Sequence, residues 1–186
     1  MAAYFYLNYD VTTGVCTGMQ NTSVPLPTPL PPGVIVCTQA QAYQPSLWQV
    51  VNGQILDYLP GFKANQINVI KQSARQASAL DLSFTNAAGT ASTFPMQPRF
   101  WVQYVGAYAK YVSYKQPLPS SFGFEDVNEI IIPMTVVDIE NFYNTGEMQV
   151  ISASGKKATL IAQINAVTGT SNNDSTACAN VQAIVW

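Results

Sequence analysis

The chain has 186 residues, enough for one domain or for a small module joined to a larger one. Of these 48% are apolar and only 10% charged, and the net charge is −2, which excludes charge-driven disorder and leaves no electrostatic footprint for nucleic acid. From Val11 to Leu56 there is no Asp, Glu, Lys or Arg at all, so the surface there is wetted by Thr, Ser, Asn and Gln or covered by partners, and low net charge favours association.

In chain order, the first residues read as β. YFYLNYD and GVCTGM flank VTT as a hairpin, and VIVCTQ follows a proline-rich tract. That tract, VPLPTPLPP, places five prolines in eight positions (Pro25, Pro27, Pro29, Pro31, Pro32). Prolines donate no ladder hydrogen bond, so residues 24–32 belong on an edge or in a polyproline II conformation. A stiff extended spacer is one reading of this tract. A docking ribbon is the other, and Val24, Leu26 and Leu30 favour it, because a solvated spacer would carry Ser, Lys or Glu. LWQVVNGQILDYL holds two apolar-alternating runs that meet at Asn52-Gly53, the pair suited to a type I′ turn. Trp48, Val50 and Ile55 form one face of this hairpin and complete the proposed docking surface.

Pro60-Gly61 reads as punctuation, and the pattern changes after it. FKANQINVIKQSARQASA carries Ile67, Ile70, Ala74 and Ala77 on one helical face. LDLSFTN and ASTFPM flank AAGT as a second hairpin. RFWVQYVGAYAKYVSYK suits either helix or strand, and the spacing of Phe100, Tyr104, Tyr108 and Tyr111 tips it to helix. After PLPSSFGFEDVNE comes the strand-like EIIIPM. Thr135 with Asp138 is an acidic variant of the capping box and opens a helix that Gly146 is expected to end or bend. ATLIAQINAV reads as a further helix, and a polar loop leads to ACANVQAIVW, whose Trp186 is expected to be tied down.

Chemistry is sparse. There is no histidine, which removes the commonest general base and metal ligand. The three cysteines (Cys16, Cys37, Cys178) lack CxxC spacing and basic neighbours. One Cys16–Cys37 disulfide is compatible with the count, but three buried free thiols are the expectation for a reducing cytosol. The acidic cluster Glu125, Asp126, Glu129, Asp138 and Glu140 could in principle hydrolyse a glycoside. Asp138, however, already has a capping role, and surface carboxylates mostly solvate. Neither this cluster nor Asn172, Asn173 and Asp174 has the ligand spacing of an EF-hand. No P-loop or dinucleotide fingerprint occurs, so the expectation is no catalytic residue, no metal and no cofactor. Tyr104, Tyr108, Tyr111 and Tyr114 could contact a sugar or another subunit, because tyrosine offers rigid amphipathic area. No apolar run approaches the roughly twenty residues of a membrane span, and MAAYFYLNYD lacks the basic region of a secretory signal.

Several of these features occur together in one known setting. Asp10-x-x-x-Gly14, the proline tract and LWQVVNGQIL resemble the short β modules that begin many bacteriophage tail-fibre and tail-fibre-assembly proteins. IxxIKQxAxxAxA, AAGTAxTF and IIIPMTVVDIENFYNTGEMQVISASGKKATLIAQINAVT, with the terminal Trp186, are similar to the C-terminal domain of unknown function in phage tail-fibre proteins, over residues 62–186. This chain departs from that pattern in having fewer charges around the final helix and an aromatic-rich middle. The resemblance carries over no catalytic residue. It implies a virion protein assembled in the bacterial cytoplasm, partnered by other tail proteins and forming a homo-oligomer, with a trimer fitting the family.

The expected architecture is α+β: a β-rich attachment module over 1–61 and a mixed helix and hairpin domain over 62–186. The expected function is a non-enzymatic structural component of a phage tail, either a tail fibre or a fibre-attachment subunit serving assembly and host adsorption. A tail-fibre assembly chaperone and a module binding a host cell-surface glycan are the alternatives.

Overall fold

The structure, a computed structural model, describes residues 3–186 and is α+β, with helices alongside small antiparallel sheets. It forms two compact units, one comprising residues up to Ile70 together with Thr159–Trp186, the other Lys71–Ala158.

In the first unit, strands β1 (Tyr4–Tyr9), β2 (Cys16–Thr22) and β3 (Val34–Val36) make an antiparallel sheet in the order β2-β1-β3. The turn after β1 closes because the Asp10 carboxylate accepts the backbone N–H groups of Thr12 (2.7 Å) and Thr13 (2.9 Å), an Asx turn. Alternation along β1 turns Leu7 inward, where it is fully buried with Cys16 and Val50. A short helix, α1 (Gln39–Ala42), opens with a capping box between Thr38 and Gln41. Strands β4 (Trp48–Val51) and β5 (Gln54–Asp57) pair antiparallel across Asn52 and Gly53, whose φ angles of 51° and 74° are both left-handed, as a type I′ turn requires.

Helix α2 (Leu59–Ser78) begins in this unit. Pro60 and Gly61 therefore lie inside its first turn rather than ahead of it. That turn is the one helical position where a missing proline N–H costs nothing. A second cluster gathers Leu47, Leu59, Phe62 and Ile70 with Ile164, Cys178 and Val181 from the far end of the chain, and Trp186 packs on it. Helix α5 (Ser175–Gln182) is capped by Asp174, which accepts the Ala177 N–H at 3.0 Å. Asn173 binds the returning segment to the hairpin by donating to the Asp57 carbonyl at 2.8 Å and to Gln49 Oε1 at 3.0 Å.

The second unit is built on rings. Hairpins β6–β7 (Leu82–Thr85, Ala91–Phe94) and β8–β9 (Gly123–Glu125, Ile131–Pro133) surround Phe94, Phe124 and Phe142 together with Tyr104 from α3 (Pro98–Ala107). The Phe142 ring lies 4.8–5.2 Å from the other three centroids, edge-on to Phe94 and Tyr104 and tilted by 49° against Phe124. Such edge-to-face contacts add about 0.5–1.5 kcal/mol each beyond area burial. The segment that could have been strand or helix is helical, and it relaxes into a π-helical stretch over Tyr108–Ser113.

Helix α4 (Val136–Ala166) starts at the expected box, with Thr135 Oγ1 accepting the Asp138 N–H (3.1 Å) and Asp138 accepting the Thr135 N–H (2.9 Å). Gly146 does not end it, and ATLIAQINAV is its continuation rather than a further helix. A glycine inside a helix costs about 1 kcal/mol relative to alanine. Here a Cβ would fall 2.6 Å from Trp101 and 2.8 Å from Met96, so the missing side chain lets both pack on the helix backbone. Strand β8 falls in a stretch read from sequence as loop. It is three residues long and has no pattern of its own until Ile131–Pro133 pairs with it.

Candidate functional site

The proline tract is anchored on one side and open on the other. Its central backbone N–H, from Leu26, donates to the Tyr6 hydroxyl at 2.9 Å. Leu26 and Leu30 are half-buried, while all five prolines are exposed and Val24 is 69% exposed. Gly33 leads into β3, an outer strand of its sheet whose Val36 is 62% exposed. The result is a rigid apolar rail with few N–H donors to hydrate, running along an uncharged sheet. Tyr6 was the residue that sequence reading missed, because only the folded strand brings its hydroxyl to Leu26.

The hairpin residues face inward. Val50 is buried with Leu7 and Cys16, and Ile55 packs on the same cluster. Trp48 is half-buried, with its ring edge-on to Phe62 at 6.3 Å, and its indole N–H has no hydrogen-bond partner. These three side chains serve the interior of their own unit. The four tyrosines also divide. Tyr104 is buried, its hydroxyl donating to the Pro95 carbonyl at 3.1 Å, and burial pushes its pKa up to about 12. Tyr111 is buried against Phe122, Tyr108 stacks on Tyr143 at 4.1 Å, and Tyr114 is 76% exposed.

Of the predicted acidic cluster, Glu125, Glu129 and Glu140 are exposed, while Asp126 and Asp138 are buried and committed to the fold. Asp126 accepts the Ser92 hydroxyl (2.5 Å) and the N–H groups of Asn128 (2.8 Å) and Ile130 (2.9 Å), and these bonds, the serine's foremost, hold its carboxyl below the usual value. Burial pulls Asp138 upward, but the Thr135 hydroxyl and the N–H groups of Thr135 and Ala87 outweigh it and leave its pKa lowered. A general acid for glycoside cleavage needs a raised pKa, the opposite of both. Asp174 is held low by the backbone of Ala177 and Thr170 as the cap of α5.

All three cysteines are free thiols, and burial raises Cys16 and Cys178 to about 11, far from the activated thiolate range. Among the described residues, no group of three or more His, Cys, Asp or Glu side chains gathers as a metal site, and no helix is long and apolar enough to cross a membrane. No protein-family model, characterised protein or solved structure matches this chain.

Proposed function

We propose that this chain is a non-catalytic structural subunit of a bacteriophage tail, a tail fibre or fibre-attachment subunit, that works by burying apolar surface against other tail subunits. The observation that carries this reading is the proline rail, pinned to the sheet through Tyr6 and Leu26 with Val24 and the prolines outward. Rigidity paid for in advance lowers the entropy lost on docking, and proline-rich segments are recognised on that basis. Nothing charged lies between Val11 and Leu56 to keep the rail solvated. Any contact of the tyrosine segment with a host glycan would fall to Tyr114, its most exposed member.

Mass spectrometry of purified virions tests the assignment. The chain is expected in the particles at a fixed ratio to other tail proteins. Recovery only from infected-cell lysate, with none in particles, would move it to assembly chaperone and overturn the structural reading.

A further inference from the structure

The second unit holds a pocket of about 460 Å³, within the range of small-molecule sites. Arg75 lines it from the last turn of α2 and Ala79 from just beyond it, Met96, Pro98 and Trp101 from the entry to α3, and Val150 from α4. Its walls are held in place. Gln149 clamps α4 to the end of α2 by donating to the carbonyls of Ala77 (3.3 Å) and Leu80 (2.8 Å). The space above Gly146 admits Trp101 and Met96, and the indole is further fixed by stacking on Tyr143, with centroids 5.5 Å apart and planes within 10°.

The polar content of the pocket is narrow. Ser78 also borders it, but its hydroxyl is spent on the Ala74 carbonyl at 2.6 Å. Arg75, itself exposed, is the only charged residue on the lining, and among the described residues no carboxylate forms an ion pair with it. It stands over the C-terminal turn of α2, whose exposed carbonyls amount to about half a negative charge. A full positive charge exceeds that, so the rim stays net attractive to an anion.

We propose that this pocket binds a small hydrophobic monocarboxylate, its aliphatic or aryl body against Trp101, Met96, Pro98 and Val150 and its carboxylate in the fork of Arg75. The guanidinium plane presents paired donors that match a carboxylate's two oxygens. The apolar walls supply affinity by burial, and the one other polar side chain on the lining, Ser78, has its proton committed to Ala74 and so offers a ligand no second donor.

The test is titration of the full chain, labelled at its methionine methyl groups, with decanoate, decanol and decyltrimethylammonium below their micelle concentrations. Decanoate should shift the Met96 methyl resonance saturably at one site, with the exposed Met19 and Met148 unmoved. The quaternary ammonium should bind at least about tenfold more weakly, since a charge-assisted pair is lost and replaced by repulsion. Arg75→Gln, an exposed position, should weaken decanoate about tenfold or more and leave decanol as it was. Ala79→Phe, which fills the pocket, should abolish the Met96 response to all three. Equal affinity for the carboxylate and the ammonium, an unchanged decanoate affinity in Arg75→Gln, or shifts at Met19 and Met148 instead of Met96 would each overturn the assignment.

Discussion

The two units bury their interiors with different chemistry. Among the largest fully buried side chains, the first unit has Leu7, Ile70, Ile164, Val181 and Cys178, and the second has Phe94, Tyr104 and Phe142 with the single aliphatic Ile139. The first joins distant segments with amides, Asn173 to the hairpin and Gln66 to the Ile184 carbonyl at 2.6 Å, while its carboxylates Asp10 and Asp174 serve only a local turn and a helix cap. The second uses the carboxylates of Asp126 and Asp138. The aliphatic unit also carries the uncharged rail. The contrast teaches that the shortage of ions is not a property of the whole chain. One unit is interlocked by rings and long-range carboxylate joints, while the other joins distant segments with amides and exposes its apolar proline rail.

Phe142→Ala should give the largest effect. Four-ring interlock leaves little room for collapse, so the cavity persists, and the cost is expected at about 3–5 kcal/mol by denaturant unfolding. Hydrogen exchange should report the loss in residues 71–158, where Trp101 also provides an optical signal. Equal loss of protection in β1 and β2 would break the distinction between the units.

Gly146→Ala comes next. In most helices this substitution stabilises by up to about 1 kcal/mol. Here the added carbon meets Trp101 and Met96, so destabilisation of about 1–3 kcal/mol is expected, with a change in near-ultraviolet dichroism from the displaced indole. A stabilised variant would show that the close approach of Trp101 is not what keeps glycine at this position.

These two positions also mark where sequence stopped being informative. The Asn52-Gly53 turn, the Thr135–Asp138 box and the Ile70/Ala74 face of α2 are local signals. Turn chemistry, capping spacing and period each sit within a few residues, and the structure contains all three. Gly146 is decided by Trp101 and Met96, which are distant in sequence, so a rule about isolated glycines in helices gave the opposite expectation. Strand β8 exists because β9 lies beside it. For the site, the exposure of Val24 followed from a charge-free proline tract, whereas the inward aim of Trp48, Val50 and Ile55 did not, because alternation identifies a face without saying which side the core is on. The pocket at Arg75 combines three separate segments, and no pattern along the chain announces it.

Acid should separate the joints by their chemistry. The carboxyls of Asp126 and Asp138 are held below the ordinary value in the folded state. Their contribution is therefore complete above the unfolded carboxylate pKa, about 4, and is lost as pH falls through the lower folded values. The hairpins β6–β7 and β8–β9 should loosen in that window. In Asp138→Asn one of the two oxygens that accept from Ala87 and Thr135 becomes a donor and the charge is lost, so the variant should start less stable and show a shallower acid slope. In the first unit the carboxyls of Asp10 and Asp174 are also held low, so the β1 turn and the α5 cap should loosen in the same window, whereas the Gln66–Ile184 joint has nothing to titrate. Proton-resolved exchange from pH 6 downward would distinguish the carboxylate-held segments from that amide joint, and a slope unchanged in Asp138→Asn would remove the Asp138 joint from the account.

The smallest effect on stability should come from Val24→Ser. Val24 is mostly solvated and makes no core contact, so unfolding free energy should move by no more than about 0.5 kcal/mol. If the rail docks on a neighbour, the same change places a hydroxyl where the partner buries apolar surface. Association measured by light scattering over a concentration series should then weaken while the monomer's melting point holds. A rail that only spaces β2 from β3 would be indifferent to the substitution in both measurements. The pairing of a silent stability change with a lost assembly therefore identifies Val24 as contact surface rather than linker.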